Sequence, residues 1–235
     1  MGKLQTIMKE HHGLEITDQQ EELLMADLHA IMHINETMNL TRILSEDGGI
    51  VLHLEDSLTG LPYINEAPEG LYADLGTGGG FPGIPLCIMT GRQTVLVDSV
   101  QKKVRALEGV AEELGLGDKI SSYGGRIEDL GRARKGHFAV LTARALSQLP
   151  ALMELASPLL RKGGRLLCYK AQPEQEEIDN ALMLEEMLGM KLLKRDDFTL
   201  SDGSTRCMFV FEKVSKPRIK LPRRVGMAQK NPLYR

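Results

Sequence analysis

Tryptophan is absent from this chain, and five Phe and five Tyr among 235 residues hold the aromatic content at 4%. Proteins that grip single-stranded nucleic acid without sequence preference stack successive bases on aromatic side chains, and so thin a supply disfavours that mode. Cysteine is equally scarce. Cys87, Cys168 and Cys207 each sit in an apolar stretch and show no C-x-x-C spacing, which argues against a zinc cluster or disulfide framework and for reduced thiols in a cytoplasmic setting. No run of about 18 apolar residues occurs, and the N-terminal MGKLQTIMKEHHGLEI lacks a continuous apolar core. Neither a membrane span nor a secretory leader is therefore expected. The zinc motif H-E-x-x-H, the nucleophile elbow G-x-S-x-G and the deaminase pairing of H-x-E with P-C-x-x-C are missing as well, so no metal is expected. The adjacent His11 and His12 are expected to be solvated.

What the chain does have is an uneven charge. The formal total is -3, yet Lys213 to Arg235 carries eight Lys and Arg and no Asp or Glu. An acidic body with a basic tail points to a polyanionic partner, most simply RNA, or else to a solubilising end.

Periodicity divides the rest. Thr17 and Gln20 have capping-box spacing ahead of Leu24, Leu28 and Ile31 at helical period, and GGIVLHLEDSLTGLPYI, residues 48 to 64, reads as a second helix. These form an expected N-terminal helical cap over 1–68. From 69 to 213, short apolar strands alternate with helical stretches: LYADL, TVLVD, KISSY, FAVLTA and RLLCYKA, then strands near 191–198 and from Arg206. Such alternation predicts an α/β architecture, its sheet mostly parallel with an antiparallel hairpin at one edge, followed by the basic tail over 214–235.

The densest signal is ADLGTGGGFPGIPL, residues 73 to 86, placed at the turn from the first strand into the next helix. It cannot be a P-loop, since no Gly-Lys-Ser or Gly-Lys-Thr follows. A dinucleotide turn fits the spacing of Gly78, Gly80 and Gly83, with Asp98 at the end of the next strand, and it predicts a nicotinamide oxidoreductase. The register opposes it. Counting from the strand end, Gly76 and Gly78 lead to Phe81 where the third glycine belongs, and Pro82 removes an N–H donor from the helix entrance. A nucleoside without phosphate fits better: Gly76 and Gly78 would admit it closely, and the Asp98 carboxylate would accept from both ribose hydroxyls.

DLGTGGG resembles the first motif of the class I, Rossmann-like methyltransferases, which bind S-adenosyl-L-methionine. The resemblance narrows with MNLTRI at Met38, HLEDSL at His53, LVDSVQKKVRAL at Leu96, GRIEDL at Gly125 and TARAL at Thr142, which occur in the order and spacing of the RsmG (GidB) family. That family consists of bacterial 16S ribosomal RNA guanine-N7 methyltransferases. The resemblance implies cofactor contacts from Gly76, Gly78, Phe81 and Asp98, with Ile127 and Glu128 reading the adenine through their backbone, and Arg144 closing the pocket near the transferring methyl. It implies 16S ribosomal RNA, or a small-subunit particle, as partner, with the tail from Lys213 to Arg235 as an RNA contact; Ala228 replaces the family's usual proline after Gly226-Met227. Simpler roles stand beside these: Phe81 as a packing aromatic, Glu128 as a solvated charge, Arg144 as a strand-end ion pair. Other acceptors, and a non-catalytic RNA-binding module, remain the alternatives. No general base is expected, because guanine N7 offers a free lone pair and has no proton to lose.

Overall fold

The computed structural model describes residues 2–234. The chain opens with helices α1 (Lys3–His12) and α2 (Asp18–Met38), then runs through α3 (Glu46–Gly49), a π-helical segment (Ile50–Glu55), α4 (Asp56–Leu58) and α5 (Leu61–Asn65). The capping box holds: Gln20 N donates to Thr17 Oγ1 at 3.2 Å and Thr17 N to Gln20 Oε1 at 3.0 Å. Leu24, Leu28 and Ile31 are fully buried along one face of α2.

The helix expected over 48–64 is broken. It opens into the π turn at Ile50 and stops at Thr59–Gly60, where Pro62 in the first turn of α5 restarts it without needing an N–H. Helix α1 was not signalled by the sequence. Nor is His12 solvated as expected: Nε2 lies 2.8 Å from Glu55 Oε1, with the histidine side chain 11% exposed. Glu55 also accepts from Ser201 N and Oγ, and these bonds to His12 and Ser201 outweigh burial and hold its carboxyl below the usual range.

The α/β part follows as β1 (Tyr72–Leu75), α6 (Gly83–Thr90), β2 (Thr94–Asp98), α7 (Gln101–Glu113), β3 (Ile120–Gly124), α8 (Ile127–Ala133) and β4 (Phe138–Arg144). It continues with α9 (Leu149–Ala156), β5 (Leu160–Lys170), α10 (Gln175–Met183), α11 (Glu185–Leu188), β6 (Met190–Thr199), β7 (Thr205–Lys213) and α12 (Met227–Lys230). The strand order is β3-β2-β1-β4-β5-β7-β6; β7 runs antiparallel to both neighbours, as the expected edge hairpin requires. Every residue of β1 is buried. Alternation along the central strands sends Ala73, Leu75, Val95 and Val97 to the face covered by α9 to α11, and Leu96 to the face shared with α2 and the cap. The cap and sheet thus share one core, in which Leu4, Met8 and Leu28 cluster with Ile84, Leu96 and Leu107. The outer strand β6 is studded with Lys191, Lys194, Arg195, Asp196 and Asp197, which discourages edge-to-edge pairing.

One buried group opposes this stability. Asp27 on α2 is fully buried, and neither carboxyl oxygen has a partner among the described residues. Burial pushes its pKa well above the ordinary 3.8, so the folded chain keeps the acid protonated where the unfolded chain ionises, and stability is lost as pH rises above that ordinary value. Asp27→Asn cannot ionise. It is expected to exceed the parent in stability at neutral pH, by an advantage that grows at most about 1.4 kcal/mol per pH unit and shrinks at about pH 3.5. Urea melts of both proteins at the two pH values check this.

Candidate active site

In an open parallel sheet the crevice at the strand carboxyl ends, where the strand order reverses, is the natural ligand site. Here that reversal lies between β1 and β4. The glycine turn leaves β1 and is anchored by Asp74, 1% exposed: Oδ2 accepts from Thr77 Oγ1 at 2.7 Å and from Gly83 N at 3.1 Å, and Oδ1 from Thr142 Oγ1 at 2.7 Å. Burial still raises its pKa, against those hydrogen bonds.

Asp74 also settles what the entrance of α6 can hold. Gly83 N is committed to the carboxylate, Ile84 N donates to Gly80 O at 2.8 Å, and Pro82 has no N–H. The donors that a pyrophosphate would need at this helix N-terminus are already committed within the protein, to Asp74 and to a backbone carbonyl.

A cavity of about 270 Å³ lies at these strand ends. Gly76, Gly78, Asp98, Ile127 and Glu128, all expected from the sequence, line it together with Ser99, Lys103, Ala145 and Leu146. Gly76 has φ +71°, and a Cβ there would stand 2.6 Å from Leu146 Cδ1; at Gly78, φ +57°, only Gly76 O lies within 4 Å of a built Cβ. The first glycine is required by conformation and packing, and the second keeps the cavity open. Gly76→Ala is expected to cost about 1–3 kcal/mol through strain at φ > 0 and to displace Leu146 in the lining, read by chemical denaturation.

Asp98 ends β2 with Oδ1 accepting from Val100 N at 2.8 Å and Oδ2 from Gly78 N at 3.2 Å. Each oxygen keeps acceptor capacity toward the cavity. Glu128 is buried, not solvated: Oε1 accepts from Gly226 N at 2.6 Å, which leaves the backbone of Ile127 and Glu128 as this element's contribution. Helix α8, begun by these residues, was not expected from the sequence.

Phe81 and Arg144 fall outside this cavity's lining. Phe81 is 4% exposed, stacks on His53 with centroids 4.5 Å apart and planes at 3°, and has Arg144 Cζ 6.0 Å from its ring centre. Arg144 donates through Nη1 to Leu52 O at 3.1 Å and to Asp56 Oδ2 at 2.8 Å. It lines a neighbouring cavity of about 450 Å³ with His53, Asp56 and Arg206. Ala145, in a left-handed conformation at φ +53°, belongs to both linings. A non-glycine residue held there stores backbone strain of a kind that collects at functional sites. Burial, then the Arg144 charge, brings the His53 pKa down to about 4, so its ring is neutral at physiological pH.

The basic tail is not a free arm. Lys213 is buried, its Nζ donating to Ser157 Oγ at 2.6 Å and Leu188 O at 2.8 Å, and burial lowers its pKa to about 8. Leu221 enters the core, Arg223 grips both Glu154 oxygens at 2.7 and 2.6 Å, Arg218 pairs with Glu186, and Ala228 and Gln229 wall the glycine-lined cavity. Lys216, Lys220, Arg224 and Lys230 are exposed; Arg235 lies outside the described residues. Among cations near the strand ends, Lys170 is tied to Glu177 at 2.7 Å, while Arg42, Lys102 and Arg105 are exposed. Among the described residues no group of His, Cys, Asp and Glu is arranged to hold a metal, and no helix is long and apolar enough to cross a membrane.

The strand order, the antiparallel β7 and the glycine turn after β1 define the class I methyltransferase fold. Solved structures agree: an O-methyltransferase from Bacillus cereus in complex with SAH superposes with TM-score 0.58 at 16% identity over 89% of this chain and 97% of its own. A geranyl diphosphate methyltransferase in complex with GPP and sinefungin gives 0.57 at 17% identity, over 84% and 100%. Within that class the chain belongs to the GidB family, described as rRNA small subunit methyltransferase G, whose model matches residues 20–201. Relatives named Ribosomal RNA small subunit methyltransferase G are 35% identical over 225 residues in Streptococcus sanguinis, 94% of each chain, and 32% identical over 229 residues in Lactobacillus acidophilus, 95% of each.

Proposed function

We propose that this protein transfers a methyl group from S-adenosyl-L-methionine to N7 of a guanine in the 16S ribosomal RNA of the small subunit. The observation that carries the cofactor assignment is the glycine-lined cavity: a helix entrance capped by the protein's own Asp74 beside a carboxylate, Asp98, with acceptor capacity to spare. That combination suits a nucleoside and rejects a pyrophosphate. The chain's membership in the family supplies the acceptor.

When bound, S-adenosyl-L-methionine supplies a methyl carbon made electrophilic by its sulfonium. Asp98 would hold the ribose hydroxyls, the backbone of Ile127 and Glu128 the adenine edge, and Gly76 and Gly78 the close approach to the methionine part. The N7 lone pair takes the methyl carbon as the carbon–sulfur bond breaks, and the positive charge passes from sulfur to the purine. No proton moves, so no side chain serves as a base. The chain's share is alignment and exclusion of water, an effect worth up to roughly 7–11 kcal/mol in well-oriented reactions. Arg144 acts by position.

Titration calorimetry with S-adenosyl-L-methionine and with NADH, followed by incubation of small-subunit RNA with methyl-labelled cofactor, tests the proposal. Binding of the sulfonium and label in the RNA are expected. Binding of NADH alone would replace it with the oxidoreductase alternative.

The exposed tail cations, Lys216, Lys220, Arg224 and Lys230, would meet RNA phosphates. Truncating the tail would uncover Leu221 and unwall the cavity, so substitution is the sharper test. Changing all four to Ala is expected to reduce the slope of log affinity against log salt by about 3. An unchanged slope in filter-binding titrations would remove the tail from the RNA interface.

A further inference from the structure

The 450 Å³ cavity beside the cofactor cavity is bounded by the π-helical segment and the carboxyl end of β4, and it shares Ala145 with its neighbour's lining. Its polar centre is Asp56, 4% exposed, whose Oδ1 accepts from Arg206 Nε at 2.9 Å and Oδ2 from Arg144 Nη1 at 2.8 Å. A carboxylate has about four acceptor positions, so a lone pair remains on each oxygen while two guanidinium groups fix its plane. His53, 8% exposed, lines the same cavity, and its Nδ1 has no partner among the described residues. Ile43, Leu52 and Tyr169 add apolar walls.

Building on the assignment of guanine-N7 methyl transfer, we infer that this cavity takes the acceptor base and that Asp56 identifies it as guanine, accepting from N1–H and the N2 amino group while N7 faces the cofactor cavity across Ala145. The edge of guanine that carries N1 and N2 lies away from N7, which lets one base address both cavities. Adenine would set the N1 lone pair against the carboxylate and offers no N2 donor. The same bond contributes to rate. Methylation leaves positive charge on the purine and makes N1–H a stronger donor, so a carboxylate accepting from it binds the transition state more tightly than the ground state.

The experiment uses small-subunit RNA in which the methylated guanine, once mapped, is replaced by inosine, which keeps N1–H and lacks the N2 amino group. Under single turnover the intact enzyme is expected to methylate inosine about 10- to 100-fold more slowly than guanine. Asp56→Asn is expected to lower kcat about 100-fold, keep its affinity for S-adenosyl-L-methionine, and lose most of the preference for guanine over inosine. Equal rates on guanine and inosine by the intact enzyme, or an unchanged preference in Asp56→Asn, would overturn the inference. If Asp56→Asn does not fold, the intact enzyme's two rates decide alone. No label in the unsubstituted guanine would instead overturn the activity on which the inference rests.

Discussion

Asp98→Ala is expected to fold with near-parental stability and to bind S-adenosyl-L-methionine roughly 100- to 1000-fold more weakly. The residue is only partly buried, and its interactions within the chain are two bonds from backbone N–H groups, those of exposed Val100 and half-buried Gly78. Its larger task is toward the ligand. Hydrogen bonds to a charged group are each worth about 1.5–3 kcal/mol, and two ribose hydroxyls on one carboxylate, each at the lower end of that scale, convert to that range of affinity. Asp98→Asn should lie between, since the amide keeps one acceptor and turns the other position into a donor. Calorimetric titration of the three proteins, with urea melts run alongside, separates the loss of binding from any loss of fold. Parental affinity in Asp98→Ala would place the ribose elsewhere.

The opposite pattern is expected at Asp74, 24 residues earlier in the chain. Asp74→Ala removes the acceptor for Thr77 Oγ1, Gly83 N and Thr142 Oγ1 at once, in a site 1% exposed. Each stranded donor costs about 1–3 kcal/mol. The variant should therefore lose about 3–5 kcal/mol, read as a fall in the urea midpoint, and with it the order of the glycine turn. Asp74→Asn should lose less, because it retains one oxygen acceptor and removes the burial cost that raises the acid's pKa. An Asp74→Ala protein as stable as the parent would mean that the turn does not depend on this anchor.

The contrast between these two acids shows what was legible in the sequence. Both lie at or beside the ends of short apolar strands; strand-end position pointed to Gly76, Gly78 and Asp98 and the family resemblance to Ile127 and Glu128, and all five line one cavity. Strands such as TVLVD were readable because a buried parallel strand is a short apolar run between turn residues. Phe81 and Arg144, implied by the family resemblance, lie outside that lining: Arg144 lines the second cavity, and Phe81 stacks on His53, which lines it too. Stacking on His53 and pairing with Asp56 join the glycine turn and β4 to a segment distant in sequence, and such contacts leave no mark on local periodicity. His53 and Asp56, three residues apart in HLEDSL, meet Arg206 only through the fold, a juxtaposition that carries no local signal. The tail was read by its charge and its resemblance to the family's basic ending; the core position of Leu221 and the pairing of Arg223 with Glu154 depend on long-range packing that composition does not encode.

Mass mapping of the nucleosides of small-subunit ribosomal RNA after incubation with the protein and methyl-labelled S-adenosyl-L-methionine addresses the central claim most directly. The predicted result is a single labelled nucleoside, 7-methylguanosine, that disappears when Asp98→Ala is assayed at the same cofactor concentration. Label on another atom or base, or an RNA without label although the cofactor binds, would contradict it.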